Sequence, residues 1–135
     1  MRWSETVASK CRYGHIAGRI FVDAEIIYEE SEDDYQGQAF VLASMPDGTY
    51  ATYAWSYGSC SGCDEWEDRE LTEEQIETEM LRDTARFTSR KTLERFLHIN
   101  EPWMEGYRDR HFTDMRLATM EWLQDHPEQK YRENN

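Results

Sequence analysis

The chain has 135 residues, with 28 acidic against 15 basic side chains and a formal net charge of −13. Hydrophobic residues make up 39% and aromatic ones 13%, which suits one folded domain and excludes wholesale disorder. The charge opposes nonspecific binding to DNA, RNA or anionic lipid, and no apolar run approaches the ~18 residues of a membrane span.

The start Met1-Arg2-Trp3-Ser4-Glu5-Thr6 has no apolar stretch, so no secretory leader is expected. The first predicted strand covers about 16–28. There Ile20, Val22, Ala24, Ile26 and Tyr28 alternate with Arg19, Phe21, Asp23, Glu25 and Ile27, the period-two pattern of a half-buried strand. Residues 29–37 read as a polar loop. Strands over about 38–45 and 49–57 follow, joined by Pro46-Asp47-Gly48, a hairpin signal because Pro presets φ and Gly accepts a positive one. In the third strand Ala51, Tyr53, Trp55 and Tyr57 share a face that either packs into the core or forms a contact surface.

A helix begins at Thr72. Thr72-Glu73-Glu74-Gln75 fits a capping box, and Leu71 and Ile76 occupy the hydrophobic-staple positions. Glu73 and Glu74 suit the positive end of the helix dipole. A stripe of Ile76, Met80 and Phe87, with Leu81 and Ala85 beside it, extends the helix to Phe87. A second helix is predicted over about 89–98, burying Leu93, Phe96 and Leu97 and stopping near Asn100 ahead of Pro102. A third covers about 114–125. Thr113 caps it, Phe112 and Leu117 staple it, and it buries Met115, Ala118 and Trp122, flanked by Leu117, Met120 and Leu123. His126-Pro127 ends it, and 128–135 reads as a frayed tail. No linker divides the chain. The expectation is a single α+β domain over 1–135, a three-stranded antiparallel sheet with about three helices on one face.

The charge is segregated. Residues 1–79 hold 18 acidic and 5 basic side chains, and residues 80–135 hold 10 of each. One block contains Asp23, Glu25, Glu29, Glu30, Glu32, Asp33 and Asp34. The other contains Asp64, Glu65, Glu67, Asp68, Glu70, Glu73, Glu74, Glu77 and Glu79 against Arg69 alone. Such blocks either solubilise a surface or meet a basic partner.

There are three cysteines, Cys11, Cys60 and Cys63. An odd count without a leader argues against a disulfide framework. Cys60-Ser61-Gly62-Cys63 is a C-x2-C pair in a glycine turn after an aromatic strand, the arrangement of a zinc knuckle. Cys11 and His15 form a C-x3-H pair that would complete a three-cysteine, one-histidine structural zinc site. His98, His111, His126 and Asp64 are alternative fourth ligands. The competing reading is three reduced cysteines, two of them in a tight turn. A redox thiol is disfavoured by Asp64, Glu65, Glu67 and Asp68, since carboxylates raise thiol pKa. The acidic runs do not match a calcium loop, no phosphate-binding glycine loop or nucleophile elbow occurs, and catalytic residues are expected to be none.

The segment Tyr57-Gly58-Ser59-Cys60-Ser61-Gly62-Cys63-Asp64-Glu65-Trp66, followed by an acidic helix, resembles a motif in small phage-encoded proteins, with the resemblance covering about 50–97. It implies a mobile-element origin and, by class, an inhibitor of host machinery such as restriction enzymes or RNA-guided CRISPR nucleases, acting in the host cytoplasm. Those targets present basic, nucleic-acid-binding surfaces. On this expectation both acidic blocks provide the contact, in particular Asp23 to Asp34 of the first and Asp64, Glu65, Glu67, Asp68 and Glu70 of the second. Trp55, Tyr57 and Trp66 serve as aromatic anchors. The alternatives are a structural or assembly protein of a mobile element and a small metal- or thiol-dependent enzyme.

Overall fold

The computed structural model describes residues 1–31, 37–58, 64–98 and 109–127, with the backbone alone at 109–112. Two 3₁₀ turns, Trp3–Glu5 and Ala8–Lys10, precede helix α1 (Gly14–Phe21). Strands β1 (Glu25–Ser31), β2 (Gly37–Ser44) and β3 (Tyr50–Tyr57) follow. Then come α2 (Glu65–Asp68), α3 (Glu73–Asp83), β4 (Ala85–Phe87), α4 (Arg90–Leu97) and α5 (Asp109–Asp125). The strands form one antiparallel sheet in the order β1-β2-β3-β4. The class is α+β as expected, but among the described residues the sheet has four strands rather than three, and five helices accompany it rather than three. Among the described residues no helix is long and apolar enough to cross a membrane.

The β2–β3 hairpin forms where its turn residues predict. The Met45 N–H donates to Thr49 O at 2.8 Å, and Asp47 Oδ1 accepts from the Thr49 N–H at 3.0 Å. Gly48 adopts φ 89°, which a side chain would oppose. Alternate residues of the hairpin then face opposite layers. Ala39, Val41, Ala43, Ala51, Tyr53, Trp55 and Tyr57 join one core with Trp3, Ile16, Phe21, Ile76 and Met80. Phe40 and Leu42 join a second core with Leu93, Phe96, Leu97, Met115 and Leu123. Helices thus cover both faces of the sheet, not one. The aromatic row of β3 is core.

The largest departure is at 16–28. Its first part is helix α1, and the strand begins only at Glu25. Alternation placed Val22 on the buried face, yet Val22 is 61% exposed. The pattern is ambiguous because Ile16, Ala17 and Phe21 also fall on one helical face, and all three are buried. Trp3 selects the helix. It stacks on Phe21 at 5.6 Å, and its indole lies so close to Gly18 that a Cβ there would sit 2.7 Å from Trp3 Nε1. A register shift between Ile26 and Tyr28 then sends Ile26 to the first core and Ile27 and Tyr28 to the second.

Helix α3 has the expected capping box: the Gln75 N–H donates to Thr72 Oγ1 at 3.2 Å and the Thr72 N–H to Gln75 Oε1 at 2.9 Å. It ends at Asp83. Ala85 and Phe87 belong to β4, paired with Thr52 and Tyr50, rather than to a helical stripe. Phe87 packs on Phe96 of α4 at 4.9 Å. Ser89 caps α4, which buries the three predicted residues. Helix α5 starts at Asp109, so Thr113 lies inside it rather than capping it. It buries Met115, Thr119 and Leu123, while Leu117 and Met120 are exposed. The expected stop near Asn100, the Phe112 staple and the 128–135 tail lie outside the described residues or side chains.

Candidate functional site

The register brings two chain segments to one end of the sheet. Ser31 pairs with Ala39 and Gly37 with Tyr57, so the chain leaves for 32–36 and for 59–63 at that same end. The N-terminal turns pack there too. Glu29 of β1 accepts from the Val7 and Ala8 N–H groups at 3.2 and 3.3 Å. The Tyr57 hydroxyl donates to Cys11 Sγ at 3.5 Å, and Cys11 Sγ in turn lies 3.6 Å from Val7 O.

Next to Cys11, Arg12 and Tyr13 form a clasp. The Arg12 guanidinium donates to Gly58 O at 2.7 Å and to the Glu67 carboxylate, and its Nη1 lies 3.3 Å from Asp64 Oδ2. It therefore ties the residue that precedes 59–63 to the residue that follows. Asp64 is 2% exposed. Its Oδ1 accepts from the Tyr13 hydroxyl at 2.6 Å and from the Glu67 N–H at 3.0 Å, which caps α2. Among the described residues its Oδ2 makes no hydrogen bond, and it faces the Arg12 charge. Tyr13 has φ 71°, uncommon for a residue with a Cβ, and its ring meets Trp66 edge-on at 4.9 Å. Burial, then the hydrogen bond to Asp64, hold the Tyr13 hydroxyl well above the usual tyrosine pKa. The Trp55 indole N–H donates to Arg12 O at 2.8 Å, fixing the clasp to the sheet.

Of the expected metal set, Cys11 and His15 fall among the described residues. Cys11 sits at this corner, but His15 Nε2 lies 3.1 Å from Glu73 Oε2, in the ion-pair layer between α1 and α3. Cys60 and Cys63 lie outside the described residues, as does His111 as a side chain. Among the described residues no group of three or more His, Cys, Asp and Glu side chains is placed to hold a metal ion.

The acidic residues divide as well. Glu25 accepts from the Trp122 indole, Glu29 from the N-terminal turn and Glu30 from the Tyr28 hydroxyl. Glu65 pairs with Arg69, and Glu67 with Arg12. Asp64, expected as a contact residue, is buried. Asp23, Asp68, Glu70 and Glu74 are exposed and make no ion pair among the described residues. Glu32, Asp33 and Asp34 lie outside those residues. Trp55 and Tyr57, expected as anchors, are each 4% exposed and belong to the core, and Trp66 is half-buried with its N–H on Glu79 at 3.2 Å.

Sequence reasoning missed the bases. Arg12 and Arg19 are two of only five basic side chains in the first 79 residues. Arg19 joins Glu73 at 2.5 Å and Glu77 at 2.8 Å. In so acidic a segment each base has several carboxylates to choose from, and that scarcity was the available signal. Comparison with family models, curated proteins and solved structures returned no match.

Proposed function

We propose that the chain is a non-enzymatic binding protein of the phage anti-defence kind. It occupies a basic, nucleic-acid-binding surface of a host protein in the host cytoplasm. The observation that carries the reading is the segregation of charge, the whole excess lying in residues 1–79. Solubility alone does not require that arrangement, whereas steering toward a basic groove does. Asp23, Asp68, Glu70 and Glu74 are the described carboxylates best placed for it, being exposed and without an ion pair among the described residues. The test is inhibition of DNA binding by restriction and RNA-guided nucleases at about 50 and about 200 mM salt. Inhibition should weaken at higher salt and in a variant carrying Asp23→Asn, Asp68→Asn, Glu70→Gln and Glu74→Gln. Equal potency in that variant would sink the electrostatic reading, and a blank screen would favour the assembly-protein alternative.

A structural zinc bound by Cys11, Cys60 and Cys63 is the second part of the proposal. Its support is the contact of Cys11 Sγ with the Tyr57 hydroxyl, at the end of β3 and close in sequence to Cys60. Elemental analysis should find about one zinc per chain. Cys11→Ser should lower it, and His15→Gln should leave it unchanged, because His15 pairs with Glu73. Metal-free protein from a chelator-free preparation would count against the site.

A further inference from the structure

The sheet ends in two edges, and the chain covers them unequally. On β1, the Ile26 N–H donates to Met1 O at 2.7 Å, and the Glu29 carboxylate accepts from the Val7 and Ala8 N–H groups. At the other edge β4 pairs only with Tyr50, Ala51 and Thr52, while β3 runs on to Tyr57. The hairpin fixes which way the remaining backbone of β3 points. Met45 and Thr49 are hydrogen-bonded across its turn. In the β2–β3 register Ala51, Tyr53, Trp55 and Tyr57 therefore turn their N–H and C=O groups toward β2, and Tyr50, Thr52, Ala54 and Ser56 turn theirs away. Strand β4 lies opposite Tyr50 and Thr52. Among the described residues no backbone group pairs with the outward groups of Ala54 and Ser56, and Ser56 is exposed. Strand β3 also has no charged residue and no proline, the devices that usually blunt an open edge.

Building on the proposed binding function, we infer that this half-edge of β3 docks an extended, basic segment of the partner protein, which adds to the sheet as a strand beside Ala54 and Ser56. Open N–H and C=O groups at every second residue are the complement of another extended backbone. The nearby charge selects that segment's chemistry. Arg12 bonds both Gly58 O, at 2.7 Å, and Glu67 of α2, so it holds α2 to the end of β3. Asp68 of α2 and Glu70 just after it are exposed and make no ion pair among the described residues. Lysine or arginine side chains on the added strand would meet these carboxylates. A second copy of the chain also has an open β3 edge to offer, but it carries the same net charge of −13 and is repelled.

Amide hydrogen exchange of the free protein tests the edge: Ala54 and Ser56 should exchange about tenfold or more faster than Tyr53 and Trp55. A capped peptide of alternating lysine and valine should then protect Ala54 and Ser56, and should bind more weakly at about 200 than at about 50 mM salt. The same peptide N-methylated throughout keeps its charge but has no N–H to donate, and should bind about tenfold or more weakly. Ser56→Pro removes one outward N–H and spares the β2 ladder, so it should lose a similar factor with its circular dichroism unchanged. Equal protection of all four amides in the free protein, protection that grows with protein concentration alone, or failure of the lysine–valine peptide to bind would overturn the inference. Equal binding of the two peptides would also overturn it, while leaving the electrostatic reading standing. Salt-independent binding that N-methylation abolishes would do the reverse, removing the electrostatic reading and keeping the strand site.

Discussion

Replacing Asp64 by Ala removes three interactions at once: the cap of α2, the acceptor of the Tyr13 hydroxyl and the counter-charge of Arg12. Loss of an N-cap costs about 1 kcal/mol, with a four-residue helix at the low end of the usual range. A half-buried hydroxyl losing its bond to a carboxylate costs about 1.5–3 kcal/mol. Arg12 is 41% exposed, so its ion pair adds only about 0.5 kcal/mol. The combined loss is about 3 kcal/mol, a large part of the ~5–15 kcal/mol that holds a domain folded. Asp64→Asn keeps an oxygen for the cap and for Tyr13, and should cost about 1 kcal/mol. Urea unfolding followed by far-UV circular dichroism reads both variants, with midpoints shifting while the slope holds. A cost below about 0.5 kcal/mol for the Ala variant would refute the claim that this carboxylate anchors the corner.

Further outcomes follow from contacts elsewhere in the fold. Glu73 titrates below the usual glutamate range, chiefly through its hydrogen bond with His15 and then through Arg19, so its contribution is full above the ordinary carboxylate range and is lost as pH falls through the lowered folded value. Melting temperatures of the wild type and Glu73→Gln should therefore converge between about pH 5 and pH 3, and a constant gap would contradict the assignment. In the second core, Leu93→Ala should cost about 2–5 kcal/mol through a cavity, while Leu117→Glu, at a 63% exposed position, should stay within about 0.5 kcal/mol by the same urea assay.

The elements legible in the sequence are those whose signal is local. Thr72 and Gln75 cap α3 by side-chain bonds three residues apart, and Pro46-Asp47-Gly48 turns the hairpin with its own backbone and one carboxylate. Helix α1 was not legible because its period competes with alternation, and the contact that decides it, Trp3 on Gly18 and Phe21, lies in another segment. Strand β4 has three residues and exists by pairing with β3, which no window of its own sequence reveals. The second helical layer was written in the unbroken apolar run 39–43, which only a strand buried on both faces needs. At the site, Cys11 and His15 share a plausible ligand spacing, yet His15 opens α1 and faces Glu73 while Cys11 stays at the sheet end.

The acidity of the first 79 residues therefore serves two opposed ends. Arg12, Arg19 and Arg69 draw Glu65, Glu67, Glu73, Glu77 and Glu79 into exposed ion pairs that join α1, α2 and α3. Those carboxylates are already neutralised locally and offer a partner little. Among the described residues Asp23, Asp68, Glu70 and Glu74 pair with no such base, so their charge is not neutralised there. Salt screens both sets, since the Debye length is about 8 Å at physiological ionic strength. Screening weakens the pairs and weakens the repulsion, so the stability of the free protein should change little with salt. On the proposed reading, binding to a basic groove engages the second set and should fall steeply with salt. That contrast between a salt-tolerant fold and a salt-sensitive complex separates a contact surface from a merely solubilising one, because a solubilising surface has no complex to lose.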